Sequence, residues 1–252
     1  MHEASLYEEN CFVTLTYNDE HLPDNEDLNY EDFQKFMKRL RKKFTGRKIR
    51  FFMCAEYGDD LGRPHYHACL FNIDFNDRVY FKTSKAGSKI FTSKTLDNLW
   101  RDRKGDSMGF ATVGNVSIDS AGYVARYVMK KKFGHGSDEA YQRLDLETGD
   151  LVTRCKEFNR MSLKDGIGTG FYNKYAQDLF LNDCCVVNGK ATKPPQFYFK
   201  KLKKDFPHYA EELSLCREDK GRKRSADNTE ERLEAKERCL VAKLKLLKRE
   251  LS

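Results

Sequence analysis

The chain predicts an α+β fold: a central, mostly antiparallel sheet with helices laid on one face, followed by a helical C-terminal extension. Three observations carry this. Strand-like and helix-like segments alternate in the order strand, helix, two strands, helix, strand, helix. Two of the strand-like runs are joined by a short polar connection, which makes them an antiparallel hairpin. The final stretch from Asp227 has charges ordered as in a free-standing helix.

Cys11 to Tyr17, CFVTLTY, sets Thr14 and Thr16 against Val13, Leu15 and Tyr17, the alternation of a strand. Polar residues Asn18 to Asn29 end it, and Asn29 can cap a helix. That helix places Phe33, Phe36, Met37, Leu40 and Phe44 at helical spacing and leaves Lys35, Lys38, Arg39, Lys42 and Lys43 outside. Lys48 to Glu56 and Pro64 to Ile73 are the two hairpin strands, connected by Tyr57 to Arg63. Ser93 to Arg101 reads as a short helix and Gly109 to Val116 as a strand, after which Asp119 or Ser120 caps a helix reaching about Lys132. Beyond Gly134 the periodicity weakens. Gly166 to Gly170 reads as a plain turn, Phe171 to Leu181 as a helix, and Arg217 to Arg224 as a polar, mobile stretch.

In the last segment Asp227 with Glu230, or Asn228 with Glu231, forms a capping-box pattern. Acidic residues Glu230 to Glu237 come early and Lys243 to Arg249 late, which complements the helix dipole. Leu240, Leu244, Leu247 and Leu251 form a seam that suits either a short coiled coil or packing. The organisation expected is a catalytic domain over 1–165, a helical and loop appendage over 166–216 and a charged helix over 217–252.

Charged residues make up 34% and hydrophobic ones 39% of the 252 residues, and no apolar run approaches the roughly 18 residues of a membrane span. The start, with Glu3, Glu8 and Glu9, lacks the pattern of a secretory signal, so the protein is expected to stay where it is made. The formal charge of +7 is concentrated at Lys35 to Lys48, Arg126 to Lys132, Lys200 to Lys204 and Lys220 to Arg224. Such patches suit a phosphate backbone. The eight cysteines show no CxxC spacing, and Cys54 and Cys69 sit in apolar runs as small buried hydrophobes.

The chemistry concentrates in two places. His65 and His67 are two apart on a strand, so both imidazoles emerge on one face while Tyr66 points to the other. Glu56, closing the preceding strand, would sit across the hairpin from them. Two neutral nitrogens and a carboxylate, with positions left for water and a phosphate oxygen, suit Mg²⁺ or Mn²⁺ better than a closed zinc site. Further on, Tyr123, Tyr127 and Lys130 fall within roughly 60° of one another on a helix of about 100° per residue. Ala121, Val124, Ala125 and Val128 form the opposite face, and the tyrosines are therefore expected to look outward.

The run Pro64-His65-Tyr66-His67 resembles the paired-histidine motif of the HUH endonuclease superfamily, and Phe12 to Tyr17 resembles its first motif, a strand under the metal site. Tyr123 to Lys131 is similar to the two-tyrosine motif of the replication initiators of small single-stranded DNA phages, the Microviridae, and most of all to their gokushovirus branch. The resemblance spans roughly Cys11 to Gly170, with tyrosines after histidines as in replication initiators rather than relaxases. It implies an endonuclease that nicks and rejoins single-stranded DNA at a viral origin through a 5′-phosphotyrosine intermediate, in rolling-circle replication. Glu56, His65 and His67 would hold the metal, and Tyr123 or Tyr127 would attack. Lys130 would stabilise the developing charge or be a plain surface lysine. Lys38, Arg39, Lys42, Lys43, Arg126 and Lys131 are the expected phosphate contacts. Host helicase and polymerase are the implied partners and the bacterial cytoplasm the implied location. Alternatives are a hydrolytic nuclease, a metal-stabilised nucleic-acid-binding protein without catalysis, and a related plasmid or transposon nickase.

Overall fold

Alternating side chains decide most of this architecture. The computed structural model describes residues 1–58, 62–84, 87–130, 141–144, 149–187 and 189–245, with the backbone alone at 126–130 and at 244 and 245. The chain divides into two units, Met1–Ile167 and Gly168–Arg249.

In the first unit the elements follow as β1 (Asn10–Thr16), α1 (Tyr30–Lys43), β2 (Arg50–Tyr57), β3 (Pro64–Phe71), β4 (Val79–Thr83), β5 (Lys89–Thr92), α2 (Lys94–Asp97), β6 (Ala111–Asn115) and α3 (Ile118–Lys130). A small ribbon of β7 (Gln142–Leu144) and β8 (Leu151–Thr153) precedes β9 (Phe158–Met161). Seven strands form one sheet in the order β4-β5-β6-β1-β3-β2-β9. Every pairing in it is antiparallel. The expected α+β class is what the chain adopts.

The helices do not share one face. Val13, Leu15, Met53, Tyr66, Ala68 and Leu70 pack on Phe33, Phe36, Met37 and Leu40 of α1. Their strand neighbours Phe12, Cys54, Cys69 and Phe71 point the other way and pack with Tyr123 and Val124 of α3. The continuous apolar runs Phe51 to Ala55 and Ala68 to Phe71 are the sign of strands buried on both sides, which overrides the one-sided layout.

Under α1, Tyr66 is fully buried and its hydroxyl is the hinge of a small polar knot. It donates to the carbonyl of Asn29 at 2.8 Å and accepts the Asn29 amide at 2.9 Å, with the Tyr17 hydroxyl 3.0 Å away. Burial pushes both phenols above their ordinary range. The Asn29 side chain meanwhile accepts the Glu31 amide, as expected of the cap of α1. Trp100, also fully buried, donates from Nε1 to the Thr16 carbonyl at 2.8 Å.

Several boundaries differ from the sequence reading. The helix expected over Ser93 to Arg101 is the single turn α2, with Ser93 as its cap. The cap of α3 is Ser117, not Asp119 or Ser120: the Ser120 amide donates to Ser117 Oγ at 3.1 Å and the Ser117 amide to Ser120 Oγ at 2.8 Å. This is the reciprocal bonding of a capping box with serine in both positions. Strands β4, β5 and β9 were not foreseen.

The second unit comprises α4 (Thr169–Leu181), the ribbon β10 (Cys185–Val187) and β11 (Lys190–Thr192), α5 (Gln196–Asp205), α6 (Pro207–Lys223) and α7 (Glu230–Lys245). Tyr172, Leu179, Phe180, Tyr198, Phe199, Leu202 and Leu213 form its core. The stretch expected to be mobile, Arg217 to Arg224, continues α6. Pairs of opposite charge one turn apart, Glu218 with Arg222 and Asp219 with Lys223, support that polar end. Along α7, Leu240 is exposed. Leu244, Leu247 and Leu251 lie outside the described side chains. Among the described residues no helix is long and apolar enough to cross a membrane.

Candidate active site

The hairpin register settles which side chains meet. Glu56 pairs with His65 and Cys54 with His67 across β2 and β3, while Thr14 pairs with His67 and Thr16 with His65 across β1 and β3. Strand alternation puts all six on one face, the face α3 covers in part. Tyr66 takes the other, as the two-residue spacing of the histidines requires.

Four of the polar groups on this face form one hydrogen-bonded chain. Thr14 Oγ1 lies 2.9 Å from His67 Nδ1. His67 Nε2 lies 2.9 Å from Glu56 Oε1, and the Tyr123 hydroxyl donates to that same oxygen at 2.9 Å. Relative exposures of 3% for His67, 3% for Glu56 and 5% for Tyr123 place the chain out of bulk water, where each bond is stronger and each missing bond costs more. Phe12 stacks on the His67 ring at 5.9 Å, and Tyr123 meets it edge-on at 5.0 Å. Oε2 of Glu56 is buried with no hydrogen-bond partner among the described residues.

His65 closes the row at the rim. It is half-buried, its ring centroid is 6.3 Å from that of His67, and a Cβ at Gly58 would come within 2.7 Å of its Nε2. Gly58 is therefore the residue that leaves room for this ring. Burial, then His67 and Arg63 nearby, push the His65 pKa down to about 4. The imidazole is neutral at neutral pH, with a lone pair to offer.

This shift has a measurable consequence. An unfolded His65 takes up a proton near its ordinary pKa of 6.5, whereas the folded one does so only near 4. Between those values the unfolded state binds more protons, so stability falls as pH drops through that window. Thermal melts in chelator should show the transition moving down from pH 7 to pH 4.5, and His65→Gln should remove part of that slope. An identical slope in the variant would contradict the assignment.

The other sequence-derived residues fall in different places. Tyr123 points inward, contrary to expectation, and Ala125 is exposed in its stead. The phenol covers more apolar area than an alanine methyl and reaches the Glu56 carboxylate, so the helix turns that side to the sheet. Tyr127, one turn further along α3, has its side chain outside those described, as do Arg126 and Lys130; Lys131 lies outside the described residues. Lys38, Lys42 and Lys43 are exposed on α1, which packs on the opposite face of the sheet. Arg39 donates from Nε to the Leu99 carbonyl at 2.8 Å, just beyond α2, and is a support of the fold. Sequence reasoning missed Thr14, whose hydroxyl positions His67, and Asn159, whose Nδ2 donates to the Val124 carbonyl at 2.6 Å and ties β9 to α3.

Among the described residues no group of three His, Cys, Asp or Glu stands gathered around a metal position. The donor chemistry on this face nevertheless fits a divalent cation: one carboxylate oxygen is buried without a hydrogen-bond partner among the described residues, and the imidazole at the rim is neutral.

Residues 10–132 match the family model of the replication-associated protein ORF2. That segment holds Thr14, Glu56, His65, His67 and Tyr123, the whole hydrogen-bonded chain and the rim histidine. This part of the chain belongs to that replication-associated protein family. Relatives carry the same description. The chain is 32% identical over 214 residues to the replication-associated protein VP4 of Bdellovibrio phage phiMH2K, covering 82% of this chain and 62% of that one. It is 32% identical over 208 residues to the replication-associated protein ORF2 of Spiroplasma virus 4, covering 78% and 59%. It is 30% identical over 207 residues to the replication-associated protein ORF4 of Chlamydia phage 1, covering 79% and 47%. The chain thus spans between about half and three fifths of the length of these replication-associated proteins. No solved structure matches it significantly.

Proposed function

We propose that this protein initiates phage DNA replication as an HUH-type endonuclease, cutting and rejoining one strand of DNA through a covalent bond to tyrosine. The observation that carries the proposal is the buried chain Thr14, His67, Glu56, Tyr123, which sets a phenol against a carboxylate flanked by imidazoles. The family membership of residues 10–132 and the replication-associated relatives support it.

A phosphodiester resists attack because its oxygens repel a nucleophile. Glu56, His65 and His67 would hold one Mg²⁺ or Mn²⁺, which supplies charge withdrawal from those oxygens when bound. The Tyr123 proton is held against Oε1 of Glu56, and its loss there leaves a phenolate nucleophile. Thr14 fixes Nδ1 of His67, so that Nε2 faces the carboxylate. When the phenolate oxygen bonds to phosphorus, the bond to the 3′ oxygen breaks and that oxygen takes a proton. The product is a 3′-hydroxyl primer and a 5′-phosphate on tyrosine, whose retained bond energy permits rejoining without ATP. Tyr127, about 6 Å further along the helix axis, is the proposed second nucleophile for the returning strand. Arg126, Lys130 and Lys131 are proposed to neutralise phosphate charge around it, and Lys38, Lys42 and Lys43 to hold strand elsewhere. Viral-origin DNA is the proposed substrate, in the cytoplasm of the bacterial host, with host helicase and polymerase following.

Incubation with single-stranded viral DNA and Mn²⁺, followed by a denaturing gel, tests this. A band of protein retarded by covalent DNA is expected. Cleaved DNA with no adduct would favour a hydrolytic nuclease, and intact DNA a binding protein.

A further inference from the structure

The face that carries Glu56, His65 and His67 continues across β1 into β6. Thr14 pairs with Thr112 and Phe12 with Gly114, so the residues of β6 that alternate with buried Ala111 and Val113 lie on this face. Phe110, just before Ala111, follows the same alternation. Its carbonyl accepts the Thr16 amide at 3.0 Å and the Thr16 hydroxyl at 2.9 Å, and Thr16 is the cross-strand partner of His65. Phe110 is therefore about two strand spacings, ~10 Å, from the rim histidine.

The Phe110 ring meets that of Phe81 in β4, centroids 5.4 Å apart, and Lys82 Nζ stands 5.8 Å from the Phe81 centroid. Both rings are in solvent, 48% exposed for Phe110 and 49% for Phe81. They are held firmly all the same. Phe110 follows Gly109, where a Cβ would come within 2.6 Å of the Asn18 amide nitrogen, so the backbone here is pressed against the end of β1. The stretch that carries Phe81 is basic: from Arg78 to Lys94 the sequence holds five Lys or Arg and no Asp or Glu.

We propose that Phe81, Phe110 and Lys82 form a platform on which bases of single-stranded DNA stack beside the cutting site. Rigid, half-exposed aromatic rings in a basic stretch suit a strand with π-faces and a phosphate backbone. An apolar protein surface would gain nothing from the five cations. The location beside His65 makes this platform the seat of nucleotides near the scissile bond, which rests on the strand-cutting reading; the binding itself does not.

The test is fluorescence anisotropy on the full chain with a labelled oligothymidylate and an abasic oligomer of equal length. The Phe81→Ala/Phe110→Ala variant is expected to bind oligothymidylate about tenfold more weakly. Its affinity for the abasic oligomer and its salt dependence should match wild type, because no phosphate contact is lost. Phe110→Tyr should bind as wild type does. Both rings are half-exposed, so the alanine variant keeps its core, which an unchanged melt would verify. Unchanged affinity for oligothymidylate overturns the platform. So does a loss of self-association on sedimentation with DNA affinity intact, which would make the patch a contact between copies. Weakened binding by the variant, with no covalent adduct in wild type, would sink strand cutting and leave the platform standing.

Discussion

Glu56→Gln is expected to lower strand cleavage about a thousandfold, while affinity for single-stranded DNA stays within about twofold of wild type. The two carboxamide heavy atoms fit the space of the carboxylate, but the negative charge is gone. That charge serves two purposes. Oε1 takes the Tyr123 hydroxyl and the His67 Nε2, each at 2.9 Å, and Oε2 is the partnerless oxygen proposed for the cation. From sequence alone, Glu56 would be the mildest of the three ligands to lose, since two imidazoles remain. The shared Oε1 reverses that order, because its loss disturbs the nucleophile as well as the metal. Strand binding persists because it draws on phosphate contacts spread over the surface. Single-turnover cleavage measured beside anisotropy separates the two effects. Cleavage by Glu56→Gln at the wild-type rate would remove the carboxylate from the chemistry.

Gly109→Ala is expected to destabilise the first unit by roughly 3–5 kcal/mol. Its φ of +144 lies in a region that side chains rarely enter, and an added Cβ would collide with the Thr16 carbonyl oxygen, the Asn18 amide nitrogen and the Tyr17 carbonyl carbon. All three are backbone atoms. None can swing aside as a side chain would, and the Thr16 carbonyl also takes the Trp100 bond. In a unit of this size the melting temperature should fall by about 10 °C. Gly149→Ala is the control, with a φ of +76 and nothing within 4 Å of the added carbon. It should cost only about 1–2 kcal/mol of backbone strain. Equal melts for the two variants would show that the packing of Gly109 on β1 carries no energy.

How far the sequence reached depends on the range of the interaction. The two-residue spacing of His65 and His67 determined their common face and sent Tyr66 to the other, because strand alternation is a local rule. Opposing Glu56 to His65 needed only the hairpin between them, and the register bears it out. Tyr123 was misplaced for a different reason. A helical wheel ranks Val124, Ala125 and Ala121 as a packing face but cannot say what polar group waits on the sheet, and the Glu56 carboxylate lies 67 residues away in sequence. Thr14 was legible as part of a strand and illegible as the partner of His67, a contact across 53 residues. Strand β4 escaped notice because Val79 to Thr83 is exposed throughout and shows no alternation. Strand β9 has only four residues, and its membership comes from pairing with β2. In α6, charged residues without an apolar stripe looked like a linker, and their one-turn pairing was the signal available.

The covalent bond itself is the most direct test. Wild-type protein trapped with single-stranded viral DNA and Mn²⁺, digested with nuclease and protease and mapped by mass spectrometry, should carry nucleotide on Tyr123 and on Tyr127 across the population. Tyr123→Phe should lose the first of these and the first cut more than Tyr127→Phe does, and the double variant should form no adduct while still binding strand. Adduct at neither residue, with cleavage intact, would contradict a tyrosine nucleophile on α3 and with it the proposed function.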